Sequence, residues 1–331
     1  MSSLHFRNQG RKIILIAEGS AFGIFVLEKN MLSEKIIMLS DIIAEFIKTV
    51  SINLSDDIDR RLRDIADSES NPTAKKMYSC ILDDLELSRK LNRPICQDTG
   101  VLQFFVEIGT DCPFIKDIER AITIAAEKAT EKTPLRPNIV DPLGEMNTGN
   151  NTGYNTPYIE YKIIPDSSDL IIKVYLSGGG CALPGRSRVL MPLEGKEGIK
   201  KFVYETIAEW GVNACPPLFV GIGIGACAVT AANLSKKALL RPVDSENDDK
   251  ETADFEKEIE DGLNSLGIAP LGFGGDKTVL GVNIETAGRH PATLGVGIST
   301  GCWATRKGEI VIKDDLSFEI PSHKRLKEET K

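Results

Sequence analysis

The 331-residue sequence predicts a mixed α/β fold, with a helical N-terminal part leading into a mixed-sheet body with flanking helices. Three observations predict it. Apolar residues recur at spacings of three and four through the first third of the chain. From Val101 onward, short β-branched and aromatic runs of strand length alternate with helical stretches. Apolar residues make up 41% and charged residues 27%, which supplies a globular core and excludes disordered, collagen-like and disulfide-scaffold classes.

Residues 1–30 stand apart. They carry a short β-like apolar segment before Met31 and Met38, either an extra strand or an extension upstream of the true start. Helical periodicity begins near Ile36 and continues through Leu39, Ile43, Phe46, Ile47 and Val50. A second helix opens at Ser55, with Asp56 and Asp57 in the first turn where negative charge suits the helix dipole. Its apolar stripe is Ile58, Leu62 and Ile65. A third follows the Asn71-Pro72 punctuation and runs to about Leu91. Val101–Ile108 reads as a strand and Ile118–Lys132 as a helix. Tyr158–Ile164 and Leu170–Leu176 alternate well around Pro-Asp-Ser-Ser-Asp, which predicts a β-hairpin. A helix covers Lys196–Trp210, and residues 218–238 read as strand, glycine-rich turn, helix. An acidic loop, Asp244–Lys250, precedes a helix to Leu266 that Gly267 terminates. Val279–Glu285, Ala292–Ser299 and Glu309–Ile312 complete the strands. The tail from Pro321 is charged and expected to fray.

The charge balance, 40 basic against 48 acidic residues, argues against a nucleic-acid binder but allows a small dianionic substrate if a few arginines line its site. Seven cysteines scattered over the chain do not form a disulfide framework. There is no apolar run of about 18 residues to span a membrane. Glu18 and Gly19-Ser20 interrupt the N-terminal apolar stretch, and no convincing cleavage site follows it. The expected location is cytoplasmic.

Three cysteines lie on separate, constrained turns: Cys96 in Pro94-Ile95-Cys96-Gln97-Asp98-Thr99-Gly100, Cys215 before Pro216-Pro217, and Cys302 in Ser299-Thr300-Gly301-Cys302-Trp303. Each alone is open to a bland reading: a loop with Asp98 and Thr99 bonding the backbone, or a buried cysteine at a strand end. Their separations match no zinc-finger or ferredoxin spacing. Turns converging in the fold could still assemble three thiolates, one short of closing a four-iron cluster. Gly178-Gly179-Gly180-Cys181 offers bare backbone for a carboxylate, and Arg186 and Arg188 follow. Gly221-Ile222-Gly223-Ile224-Gly225 lacks dinucleotide spacing and an acidic partner about 20 residues on, so NAD binding is not expected. His5 and His323 lie in terminal segments. His290, at a turn in the strand-rich body, reads by itself as a structural hydrogen-bonder.

Taken together, NRPICQDTG, TPLRPNIV, GGGCALPGRSRVLMPLEG, VNACPPLFVGIGIG, GVNIE and RHPATLGVGISTGCWATRKGE resemble the class I, iron–sulfur-dependent fumarate hydratase and tartrate dehydratase family. The resemblance runs from about Met38 to Leu316 in the family's order. The GGGC-x-LPGRS and STGCWA variants are similar to the tartrate-dehydrating α subunits rather than to typical fumarases, which have serine where Cys181 stands.

That resemblance implies a [4Fe–4S] cluster on Cys96, Cys215 and Cys302. It implies substrate contacts at Gln97, Arg136, Gly179 and Gly180, and catalytic roles for Asp98 and His290, with Asp98 protonating the departing hydroxyl. It divides the chain into an extension, 1–37, a cluster-binding domain, 38–320, and a tail, 321–331. Single-chain relatives continue into a domain that supplies the proton-abstracting base. The resemblance therefore implies a β subunit here, in an α2β2 assembly. The expected reaction is dehydration of L(+)-tartrate to oxaloacetate. The alternatives are a two-subunit malate/fumarate hydratase or, with less support, a cluster-binding sensor.

Overall fold

A computed structural model describes residues 22–328 of the chain, with side chains described from Glu34 to Leu326. The elements are α1 (Phe22–Ile52), α2 (Asp56–Ser68), α3 (Pro72–Leu91), β1 (Val101–Gly109), α4 (Ile118–Lys132), β2 (Tyr158–Ile164), β3 (Leu170–Ser177), α5 (Gly179–Ala182), β4 (Arg186–Leu190) and α6 (Gly195–Trp210). After these come β5 (Leu218–Gly225), α7 (Ala228–Ala238), α8 (Lys250–Asn264), β6 (Val279–Thr286), β7 (Leu294–Gly301), β8 (Arg306–Ile312), β9 (Phe318–Glu319) and α9 (Arg325–Glu328). The mixed α/β architecture is as expected. Of the β-like segment expected before Met31, the part up to residue 21 lies outside the described residues, and from Phe22 the backbone is helical. A short apolar run does not by itself distinguish strand from helix.

Punctuation in the sequence sets several boundaries. Asn71 caps α3 by accepting from the Thr73 and Ala74 amides, with Pro72 at the first helical position, and Asn92 ends the helix in the left-handed region. Asp249 caps α8 through the Thr252 amide.

Two sheets form the body. The first has strand order β2-β1-β3-β8-β9 and the second β4-β7-β5-β6. The expected hairpin of β2 and β3 does not form. β1 lies between them, parallel to β2 and antiparallel to β3. The 165–169 connection instead wraps the end of β1, with the Gly109 amide donating to Asp169 O and the Asp111 amide to Ser167 O. Gly109 makes this crossing possible, since a Cβ there would stand 1.9 Å from Ser167 O. β1 is buried along most of its length and β2 largely exposed, as suits a central strand and an edge.

One face of the first sheet packs on α1 and α4 through Leu102, Phe104, Val106, Ile172 and Val174. Its other face is charged: Lys162 and Lys173 both pair with Glu107, and Lys173 also with Glu309. The second sheet packs α6 and α8 against Val220, Ile222, Val282 and Val296. Its opposite face receives α7 on a track of glycines. A Cβ at Gly223 would lie 2.0 Å from Ala231 O, and one at its cross-strand partner Gly297 2.4 Å from the same atom. The alternating glycines of β5 are therefore a helix-docking surface rather than a phosphate loop.

A third apolar cluster, with Tyr78, Tyr175, Phe219, Leu280 and Ala304, joins α2 and α3 to both sheets. Lys307 is buried at this junction. Its Nζ lies 4.8 Å from the Phe219 ring centroid and 3.1 Å from Asp57 Oδ2. Burial works against the Asp57 carboxylate, but Lys307 and the Val243 amide hold its pKa below the usual value. The Pro321 segment is not frayed: His323 is buried against Asn53 O, and Ser322 bonds to Glu309.

Gly223→Ala should lower stability by about 3 kcal/mol, the upper end for overpacking. Gly288→Ala, with open space around its added methyl, should change it by less than about 0.5 kcal/mol. Denaturant midpoints of the two variants check this. Asp57→Asn should cost about 3–5 kcal/mol in the same measurement, because it leaves the Lys307 ammonium buried without its carboxylate.

Candidate active site

The three cysteine-bearing turns meet at one end of the second sheet. Cys96 follows α3, and its turn is pinned by the Ile95 amide donating to Ser51 O at 3.0 Å. Cys215 ends a 3-10 turn, Gly211–Ala214, at φ +52°, a left-handed conformation a cysteine rarely adopts, and its side is exposed. Cys302 follows β7 and is buried. The pairing of Phe219 with Gly301 sets the start of β5 beside the end of β7. The Trp303 amide then bonds Cys215 O at 3.2 Å. The Cys215 thiol is pushed up by burial, and also by the neighbouring Cys181 and Cys96 sulfurs.

Cys181, on α5, joins this group. It is drawn down to about 7, chiefly by the hydrogen bond from Cys302, whereas Cys302 is pushed up by giving that bond and by its burial. Thr300 Oγ1 donates to Cys181 O and Tyr175 Oη to Thr300 O, so the cysteine turns rest on the third apolar cluster.

Asp98 stands beside the thiols and is held from three sides. Oδ1 accepts from the Gly100 amide at 3.0 Å and from Asn138 Nδ2 at 3.1 Å, and Oδ2 accepts from the Gly179 amide at 2.8 Å. The Gly179 amide is therefore spent on Asp98, while Gly180 is exposed next to it. Arg136 is exposed and donates from Nη1 to Gln97 Oε1 at 3.3 Å. Its backbone is clamped: its amide donates to Thr99 Oγ1, and its carbonyl accepts from Asn151 Nδ2. Asn151 is buried, left-handed at φ +60°, and also accepts the Asn138 amide at 2.7 Å. Sequence reasoning missed Asn138 and Asn151. Asn138 lies two residues after Arg136 in the quoted motif, but Asn151 sits in a Gly- and Asn-rich stretch that reads as plain loop.

The structure does not bring His290 to this group. It is exposed in the loop before β7, accepting the Ala292 amide at Nδ1, whereas Cys302 follows the other end of that strand. A cavity of about 800 Å³ lies between the charged face of the first sheet and Arg60, Arg241 and Asp244, and none of the expected site residues line it. Among the described residues no three His, Cys, Asp or Glu side chains are close enough to share one metal ion. An iron–sulfur cluster, larger than an ion, takes thiolates that stand apart.

Comparison with known proteins identifies the family of the chain. The model of the family described as fumarate hydratase (fumerase) matches residues 40–311. The L(+)-tartrate dehydratase subunit alpha of Escherichia coli (strain K12) is 47% identical over 287 residues, covering 87% of this chain and 95% of that protein. The protein of Methanocaldococcus jannaschii described as putative L(+)-tartrate dehydratase subunit alpha is 41% identical over 282 residues, 84% of this chain and 98% of its own. With most of its length matched and its cysteine turns gathered beside Asp98 and Arg136, the chain belongs to the fumarate hydratase family.

Proposed function

We propose that this chain is the cluster-bearing α subunit of a cytoplasmic, two-subunit hydro-lyase that dehydrates L(+)-tartrate to oxaloacetate. The observation that carries this reading is the convergence of Cys96, Cys215 and Cys302 beside a carboxylate and a guanidinium that the fold holds in place. The names of the relatives support tartrate as the substrate.

The donor set suits a [4Fe–4S] cluster. It consists of three thiols on rigid turns, graded from exposed Cys215 to buried Cys302, with no oxygen ligand required. When bound, such a cluster supplies a Lewis-acidic iron. The chain's own residues do the rest. Arg136, steadied by Gln97, grips a substrate carboxylate with its remaining donors, and Gly180 offers backbone to the same dianion. Gly179 serves indirectly, by orienting Asp98. Asp98 Oδ1 is filled by two donors, whereas Oδ2 accepts one bond and keeps capacity for a proton. That proton goes to the departing C2 hydroxyl. The C3 proton needs a positioned base, and none of the grouped residues has that part free. The base belongs to the β subunit, in an assembly expected to be α2β2. The resulting enol tautomerises to oxaloacetate. The cluster-binding domain spans 38–320. His290 is assigned to the site only in an assembly that carries its loop to the substrate.

Three outcomes test this. Reconstituted anaerobically with iron and sulfide, the chain alone should gain the visible absorbance of thiolate-bound iron. Cys96→Ser, Cys215→Ser and Cys302→Ser should each abolish it, while Cys80→Ser and Cys112→Ser keep it. Dehydration of tartrate should require the β subunit; substantial turnover by the chain alone would overturn the two-subunit reading, and a preference for malate would give the chain to the malate/fumarate hydratases. In the complex, Arg136→Lys should raise KM about tenfold, about 1.4 kcal/mol of binding. Asp98→Asn should lower kcat by about 10²-fold or more at nearly constant KM.

A further inference from the structure

Arg306 is 2% exposed and among the largest fully buried side chains, four residues after Cys302. A buried guanidinium ordinarily pairs with a carboxylate, because an uncompensated charge in the interior is costly. Among the described residues Arg306 has no such partner. Its Nε donates to Ala304 O at 3.2 Å, and its Nη1 has no hydrogen-bond partner. Its charge acts on Cys302, Cys181 and the Tyr175 hydroxyl.

A second cation leans on the same place. The Lys236 ammonium, on α7, lies 4.6 Å from the centroid of the buried Tyr175 ring and has no ion-pair partner among the described residues. Its burial pulls it down to about 8, against the opposing pull of Cys181. Lys237, its neighbour, is paired with Glu160. The interior behind the cysteine turns thus holds positive charge without an ion-pair partner among the described residues, and the titratable groups it acts on are the Cys181 and Cys302 thiols and the Tyr175 hydroxyl.

We infer that Arg306 is the internal counter-charge of the thiolate-bound cluster, with its unpartnered Nη1 donating toward the sulfur side of Cys302 and Cys181. This rests on the cluster reading above. It accounts for an otherwise costly side chain: the cation is unpaired in the cluster-free chain and compensated once an anionic group occupies the thiols. Lys236 adds to the same field from the far side of Tyr175.

The inference predicts effects of opposite sign with and without the cluster, which a merely structural arginine would not give. In the full-length chain, cluster-free Arg306→Met should melt no lower than the wild type, because it removes an unpaired buried charge. Loaded anaerobically, the same variant should lose its visible absorbance to a chelator several-fold faster, and its cluster should have a more negative midpoint potential. Arg306→Lys, which keeps the charge, should stay near the wild-type potential. A cluster-free Arg306→Met chain that melts clearly lower would overturn the inference. So would a loaded variant with wild-type potential and retention. A wild-type chain that takes up no cluster would overturn the cluster reading itself, and this inference with it.

Discussion

The short crossing from β7 to β8 is the constraint on which the rest of the structure depends. Within it Thr305 Oγ1 bonds Cys302 O, Trp303 bonds back to Cys215, and Ala304 is buried in the cluster shared by both sheets. The chain leaves one sheet and enters the other here, so the relative placement of the sheets and the exposure of the thiols follow from one buried segment. Lys307, just beyond it, ties β8 to α2 through Asp57 and to β5 through Phe219. The energetics are of a buried ion pair: modest as a net stabiliser, severe if one partner is removed.

A second constraint is steric. α7 sits against β5 and β7 because Gly221, Gly223 and Gly297 carry no side chain, letting helix carbonyls approach the sheet backbone within what would be a Cβ radius. That approach sets the depth of α7 and therefore the height at which Lys236 meets Tyr175. A packing device on one face of the sheet thus reaches the electrostatics of the cysteine turns at its end.

Orientation at the site comes from amides and backbone more than from ion pairs. Asn151, buried in a left-handed conformation, holds the Arg136–Asn138 segment from inside; Asn138 in turn holds Asp98, and Gly179 holds it from the other side. Neutral partners fix the carboxylate's direction without placing a cation on it. Arg136 is clamped through its backbone but exposed at its head, where Nη1 donates to Gln97.

By itself the sequence determined most of the longer elements and the chemistry-bearing turns, but not β4 or the helical start at Phe22. Helical spacing from Ile36, the Asn71-Pro72 cap and the Ile118–Lys132 helix were readable because local backbone preference and burial agree there. Cys96, Cys215 and Cys302 stood out because Pro and Gly constrain their turns. Only the tertiary structure decided pairing and neighbourhood. β1 displaced the expected β2–β3 hairpin, a choice that turns on which strand is central and on the absent Cβ of Gly109, neither of which is a local property. The glycines of β5 proved to be a docking track because their meaning depends on a helix that arrives later in the chain. Arg306 and Asn151 looked like ordinary polar residues in sequence. Their significance lies in being buried, one without a carboxylate and one bonded to both α4 and the Arg136–Asn138 segment, and burial is a property of the whole fold.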